Sequence, residues 1–171
     1  LKALELSQAA HGRLAARCAA LGIEFMSTPF DEDSVDMLLG LGMRRIKVPS
    51  GEITNLPFLR YVAGKCVPLV VSTGMADMDE IGRAVDLIRL TWQERRFAPD
   101  ADALTVLHCT SNYPAAFSDV NMRALHTIAQ GTAAPVGYSD HTKGTAIAIA
   151  AVALGATVIE KHFTIDTRLP G

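Results

Sequence analysis

Three observations on this sequence predict an α/β fold built on parallel strands. Short runs rich in Val, Ile, Leu and aromatic residues recur at Ile23 to Ser27, Arg45 to Val48, Pro68 to Ser72, Leu104 to His108, Pro135 to Tyr138 and Thr157 to Lys161. Each is followed, after a polar turn, by a segment of helical period. Most of the runs are continuous rather than alternating, as in strands covered on both faces.

The opening segment, with Leu14, Cys18 and Leu21 at i, i+4 and i+7 before Gly22, reads as a helix preceding the first strand. From Asp31 to Leu41, Val35, Leu38 and Leu39 mark a second helix that stops at Gly42. Asp77 and Glu80 form a D-x-x-E start of the capping-box kind ahead of Ile81, Val85 and Ile88. Leu90 to Asp102 reads as the one long connection, with Trp92 in it as a packing residue. Thr145 to Leu154 is an Ala-rich helix ended by Gly155.

Composition narrows the function classes. The 171 residues are 49% hydrophobic, 20% charged and 6% aromatic, with a formal net charge of −2 and no long run of either sign. A nucleic-acid or anionic-membrane footprint is therefore excluded. The apolar stretch Thr145 to Ile159 carries Gly155 and falls short of the roughly 20 residues of a membrane span. Cys18, Cys66 and Cys109 are far apart and in no C-x-x-C pair, so they read as buried free thiols in a reducing, cytoplasmic compartment.

The chemistry collects where the strands end. Polar clusters follow nearly every strand: Ser27-Thr28-Pro29, Lys47-Val48-Pro49-Ser50-Gly51-Glu52, Ser72-Thr73-Gly74, His108-Cys109-Thr110-Ser111, Ser139-Asp140-His141 and Glu160-Lys161-His162. In a parallel α/β fold these ends share one edge or rim, where sites are built. Residues two apart share a strand face, so Ser139 points with His141, and Glu160 with His162. If Ile159 and Lys161 face the helix layer, Glu160 and the two imidazoles face inward, as a half-site for a divalent metal. The alternative is hydrogen-bonded core histidines. Lys47, flanked by Ile46 and Val48, needs an anionic partner. A salt bridge provides one; so does a bound phosphate or carboxylate, with Ser50, Ser72 and Thr73 as donors. His108 reads as a core or supporting residue, and His11 and His126 as solvent-facing residues on helices.

At these motifs the sequence resembles the sialic acid synthase family, the phosphoenolpyruvate-dependent N-acetylneuraminate synthases and related nonulosonic acid synthases. The matching runs are S-T-P-F at Ser27 to Phe30, I-K-V-P-S-G-E at Ile46 to Glu52, S-T-G-M at Ser72 to Met75, H-C-T-S-N-Y-P at His108 to Pro114, G-Y-S-D-H-T at Gly137 to Thr142 and E-K-H-F-T at Glu160 to Thr164. The resemblance spans essentially the whole chain. It implies a (β/α)8 TIM barrel, incomplete over residues 1–171, running from helix 2 through about strands 3 to 8. The first two strands, with their Glu and Lys, and the C-terminal antifreeze-like domain are expected to lie outside the chain.

That resemblance also implies roles. His141 and His162 would hold Mn²⁺ or Mg²⁺. Thr28, Lys47, Ser50, Ser72 and Ser139 would bind phosphoenolpyruvate, with Ser111 at a position where the family often has Asn, and Tyr113 would meet the sugar. The implied reaction is an aldol-like condensation with an N-acetylated hexose such as N-acetylmannosamine, with phosphate leaving by C–O cleavage. Lys47 would offset phosphate charge, and Glu160 would orient or deprotonate water unless it serves only as a salt-bridge partner. The full-length protein is expected to be a homodimer acting on small molecules. Two other readings stand beside this one: an inactive barrel fragment or anion-binding subunit, and a different barrel aldolase or keto-acid synthase.

Overall fold

A computed structural model describes residues 5–169. Among these residues are six α-helices and five strands, alternating from α2 onward: α1 Gln8–Leu21, α2 Glu32–Gly40, β1 Ile46–Val48, α3 Leu56–Ala63, β2 Leu69–Ser72, α4 Met78–Glu94, β3 Leu104–Cys109, α5 Arg123–Thr132, β4 Val136–Asp140, α6 Ala146–Ala153 and β5 Val158–Lys161. The strands form one parallel sheet in sequence order. This is the α/β arrangement of part of a TIM barrel.

One face of the sheet carries the helix-packed core. Ile46, Val48, Leu69, Val71, Leu104, Val106, Val136 and Tyr138 meet Val35, Leu38, Leu59, Val62, Val85, Ile88, Leu125 and Ile128. The intervening strand residues, Lys47, Ser72 and Ser139 among them, point to the other face and are buried there too. Burial on both faces explains the continuous apolar runs. Trp92 lies edge-to-face on Phe97 within the core, as a packing residue. Among the described residues no helix is long and apolar enough to cross a membrane.

Helix starts follow local chemistry. Asp77 accepts from the Glu80 amide at 2.8 Å while the Glu80 carboxylate accepts from the Asp77 amide at 3.0 Å, the reciprocal box read from the sequence. Asp31 caps α2 through the Ser34 amide.

Four expectations need correction. Ile23 to Ser27 pairs with no strand among the described residues. It is held instead by side chains: Arg45 donates twice to Glu24, at 2.8 and 3.1 Å, and the Ser27 amide donates to Met43 Sδ. Its apolar composition signals strand propensity, but a ladder also needs a neighbour. The connection expected from Leu90 is helical to Glu94, because Leu87, Ile88, Thr91 and Trp92 continue the inward stripe of α4. His11 does not simply face solvent: its Nε2 lies 3.2 Å from Ser27 Oγ, tying α1 to the segment before α2. Of the three free thiols only Cys109 is buried; Cys18 and Cys66 are half-buried.

Candidate active site

Lys47, on the inner face of β1, is 7% exposed. Its Nζ donates to Ser72 Oγ on β2 at 2.8 Å and lies 3.5 Å from Glu160 Oε2 on β5. Those contacts say how the sheet bends. In a flat sheet β1 and β5 would lie about 19 Å apart, at about 4.8 Å per strand. Their side chains meet because the sheet curls and its inner face is concave.

From Glu160 the network continues across β4. Ser139 Oγ donates to Glu160 Oε1 at 2.6 Å, and His141 Nε2 stands 3.3 Å from the same hydroxyl. A serine hydroxyl has a single proton, and here it goes to the carboxylate. His141 Nδ1 donates to the Thr110 carbonyl at 2.6 Å. That bond selects the tautomer in which Nε2 carries a lone pair. The lone pair therefore has no proton donor in Ser139 and faces the concave side. The His162 ring centroid is 5.5 Å from that of His141, and Tyr113 lies tilted over His141 at 4.1 Å and meets His162 edge-on at 5.5 Å.

This donor set fits half of a divalent metal site. One imidazole has its tautomer fixed by a backbone carbonyl, the arrangement common to metal-binding histidines, and a second stands beside it. Among the described residues no group of three or more His, Cys, Asp and Glu could hold an ion. The remaining positions would fall to water or substrate oxygens.

A second cluster lies at the ends of β1 to β3. Ser50, in the 3-10 turn Ser50–Glu52, sits with its Oγ 3.2 Å from Cys109 Sγ, which also accepts the Gly74 amide at 3.2 Å. Gly74 has φ +36°, and a methyl group there would lie 2.4 Å from Ser50 Cβ and 3.0 Å from Ser111 Oγ. Glycine is required both by the backbone and by this close approach.

The model of the NeuB family matches residues 1–171. The chain belongs to the NeuB family. It is 52% identical over 171 residues to the N,N'-diacetyllegionaminic acid synthase of Legionella pneumophila, covering 100% of this chain and 47% of that protein. It is 36% identical over 169 residues to the human N-acetylneuraminate-9-phosphate synthase, covering 98% and 45%. The structure of the N-acetylneuraminic acid (sialic acid) synthetase of Leptospira borgpetersenii in complex with citrate superposes with a TM-score of 0.86 at 34% identity, over 95% of this chain and 54% of that one. A phospho-2-dehydro-3-deoxyheptonate aldolase from Thermotoga maritima, at 15% identity and TM-score 0.73, shares the fold. The chain thus spans about half the length of the curated relatives it matches.

In this NeuB chain the residues singled out by sequence fall into two groups. Lys47, Ser72, Ser139, Glu160, His141, His162 and Tyr113 form one continuous array, and Ser50 and Ser111 gather around Gly74. Thr28 joins neither by a hydrogen bond; it lies half-buried in the segment before α2. Cys109 is the residue that sequence reading passed over. The period of β3 gives it away: if His108 faces the helices, Cys109 faces the concave side, and here it bonds both Ser50 and Gly74.

Proposed function

We propose that the chain forms part of the catalytic barrel of a synthase that condenses phosphoenolpyruvate with an N-acetylated hexose to give a nonulosonic acid and inorganic phosphate. The observation carrying this reading is the array from Ser72 through Lys47, Glu160 and Ser139 to His141 and the neighbouring His162, which sets a cation, a carboxylate and two imidazoles together. The relatives named as N,N'-diacetyllegionaminic acid synthases, at 52% and 46% identity, favour a diacetamido hexose as acceptor.

Lys47 and Ser72, with Ser50 and Ser111, would hold the phosphate and carboxylate of phosphoenolpyruvate and orient its C3, and Ser139, its proton committed to Glu160, would border the ligand beside them. The chemistry that Mn²⁺ or Mg²⁺ would supply between His141 and His162 is Lewis-acid polarisation of the acceptor aldehyde. C3 bonds to the aldehyde carbon, whose oxygen takes a proton and becomes a hydroxyl. A water oxygen adds at C2, one of its protons passing through Glu160 to the aldehyde-derived oxygen, and the C2–O bond to phosphate then breaks as the remaining C2 hydroxyl becomes the carbonyl and gives its proton to the departing phosphate. Glu160 suits that task because its side chain is 45% exposed while Ser139 and Lys47 hold its orientation. Tyr113, 68% exposed over the histidines, would form one wall of the sugar site.

The test uses the full-length gene product with phosphoenolpyruvate, a divalent ion, and a panel of N-acetylated hexoses, diacetamido hexoses and aldose phosphates. The expected result is phosphate release coupled to a nine-carbon sugar acid, identified by mass spectrometry, with a diacetamido hexose preferred. His162→Ala should lower turnover roughly 100-fold or more. Unchanged output and metal requirement in that variant would overturn the role given to His162. Product from an aldose phosphate alone would favour a different barrel synthase.

A further inference from the structure

The two histidines follow residues that point the other way. Asp140 precedes His141 on β4, Lys161 precedes His162 on β5, and the two are register partners across the strand pair. On the helix side they meet: Lys161 Nζ donates to Asp140 Oδ2 at 2.7 Å and to the Thr142 carbonyl at 2.8 Å. Asp140 Oδ1 accepts the Thr142 amide at 2.9 Å and its hydroxyl at 2.7 Å. The Asp140 side chain is 0% exposed and that of Lys161 29%.

The supports of the two imidazoles differ. His141 is fixed from several directions: its ring by the Thr110 carbonyl, its own carbonyl by the Ala115 amide at 2.9 Å, and its neighbours by the Asp140–Thr142 bonds. The His162 ring makes no hydrogen bond among the described residues, and β5 ends at Lys161. Lys161 is therefore the last anchored point before His162.

We propose that the Asp140–Lys161 pair, closed through Thr142, is a positioning clamp that sets the spacing of His141 and His162 from the opposite face of the sheet. Neither residue touches substrate or metal in this arrangement. Lys161 holds the end of β5 against the turn after β4, and the pleat carries that constraint to the imidazole one residue on. The inference rests on the reading of the histidines as a metal pair.

The experiment is Mn²⁺ titration of the full-length gene product, followed by the electron paramagnetic resonance signal of free Mn²⁺, alongside thermal unfolding. Wild type should bind, and His162→Ala should lose binding. Lys161→Met should weaken Mn²⁺ affinity roughly tenfold or more, the usual scale for groups supporting metal ligands. That substitution leaves a buried carboxylate unpaired and lowers stability, so Asp140→Asn combined with Lys161→Met supplies the control. The double variant removes both charges, while the amide oxygen introduced by Asp140→Asn still accepts from Thr142. It should recover much of the melting temperature but not the affinity. Wild-type affinity in a well-folded double variant would overturn the clamp and leave the pair a stability element. Wild-type affinity in His162→Ala, or no binding in wild type, would instead overturn the metal reading and the clamp with it.

Discussion

His108 and Cys109 are neighbours in sequence with opposite surroundings. Cys109 faces the concave site, while His108 packs against Tyr138 on the helix side, its ring centroid 5.5 Å away and its Nε2 without a hydrogen-bond partner among the described residues. Burial pushes the His108 imidazole below its ordinary value, so the folded chain holds it neutral where an unfolded chain would protonate it. Below about pH 6.5 the unfolded state binds the extra proton. Stability should therefore fall as pH drops from 7 toward 5, and the loss should level off once the folded imidazole also protonates. His108→Phe, compared with wild type by urea unfolding at several pH values, should flatten that part of the decline; an unchanged slope would show that His108 does not cause it. At this scale much of the candidate site's grouping was legible. Strand period alone put Glu160 and His162 on one face and Lys161 on the other, because alternation depends only on the pleat. The partners were not legible: Lys47 needed an anion, and only the bend of the sheet shows Glu160 to be within reach.

Elements tell a similar story with a different failure. Helix starts are written in adjacent residues, so Asp77 with Glu80 could be read directly. Strands are made by neighbours, so Ile23 to Ser27 carried the composition of a strand without a ladder among the described residues. Close approach between strands is also invisible in composition, and Gly137 on β4 illustrates it. A methyl group there would lie 2.4 Å from Leu107 Cδ2 on β3 and 2.6 Å from the Val158 carbonyl on β5. Gly137→Ala must push β4 away from a neighbour, and a loss of about 1–3 kcal/mol in denaturant unfolding is expected, the usual range for overpacking. A stability unchanged within error would mean that the strands yield freely.

For the molecule as a whole, the α/β class followed from the order of runs and helices, whereas the curl could not, since it arises from twist accumulated over the sheet. Two stretches expose large apolar side chains: at α6, Ile149, Val152 and Leu154 are 67%, 56% and 53% exposed, and after β5, Phe163 and Ile165 are 90% and 87% exposed. Such a surface on the 171-residue chain should promote self-association. Sedimentation velocity should show a concentration-dependent shift that Phe163→Ser with Ile165→Ser reduces; a monomer at all concentrations would count against it. The contact between Lys47 and Glu160 bears on how the chain reaches this state. Each βα unit can gather from residues near one another in sequence, but this ion pair joins the first strand of the ladder to the last. Closing so long a loop carries a large entropic cost that shorter contacts must first offset. In refolding, the Lys47–Glu160 contact is therefore expected to form after the strands it bridges, so a probe of that contact should lag the far-ultraviolet circular dichroism signal of secondary structure.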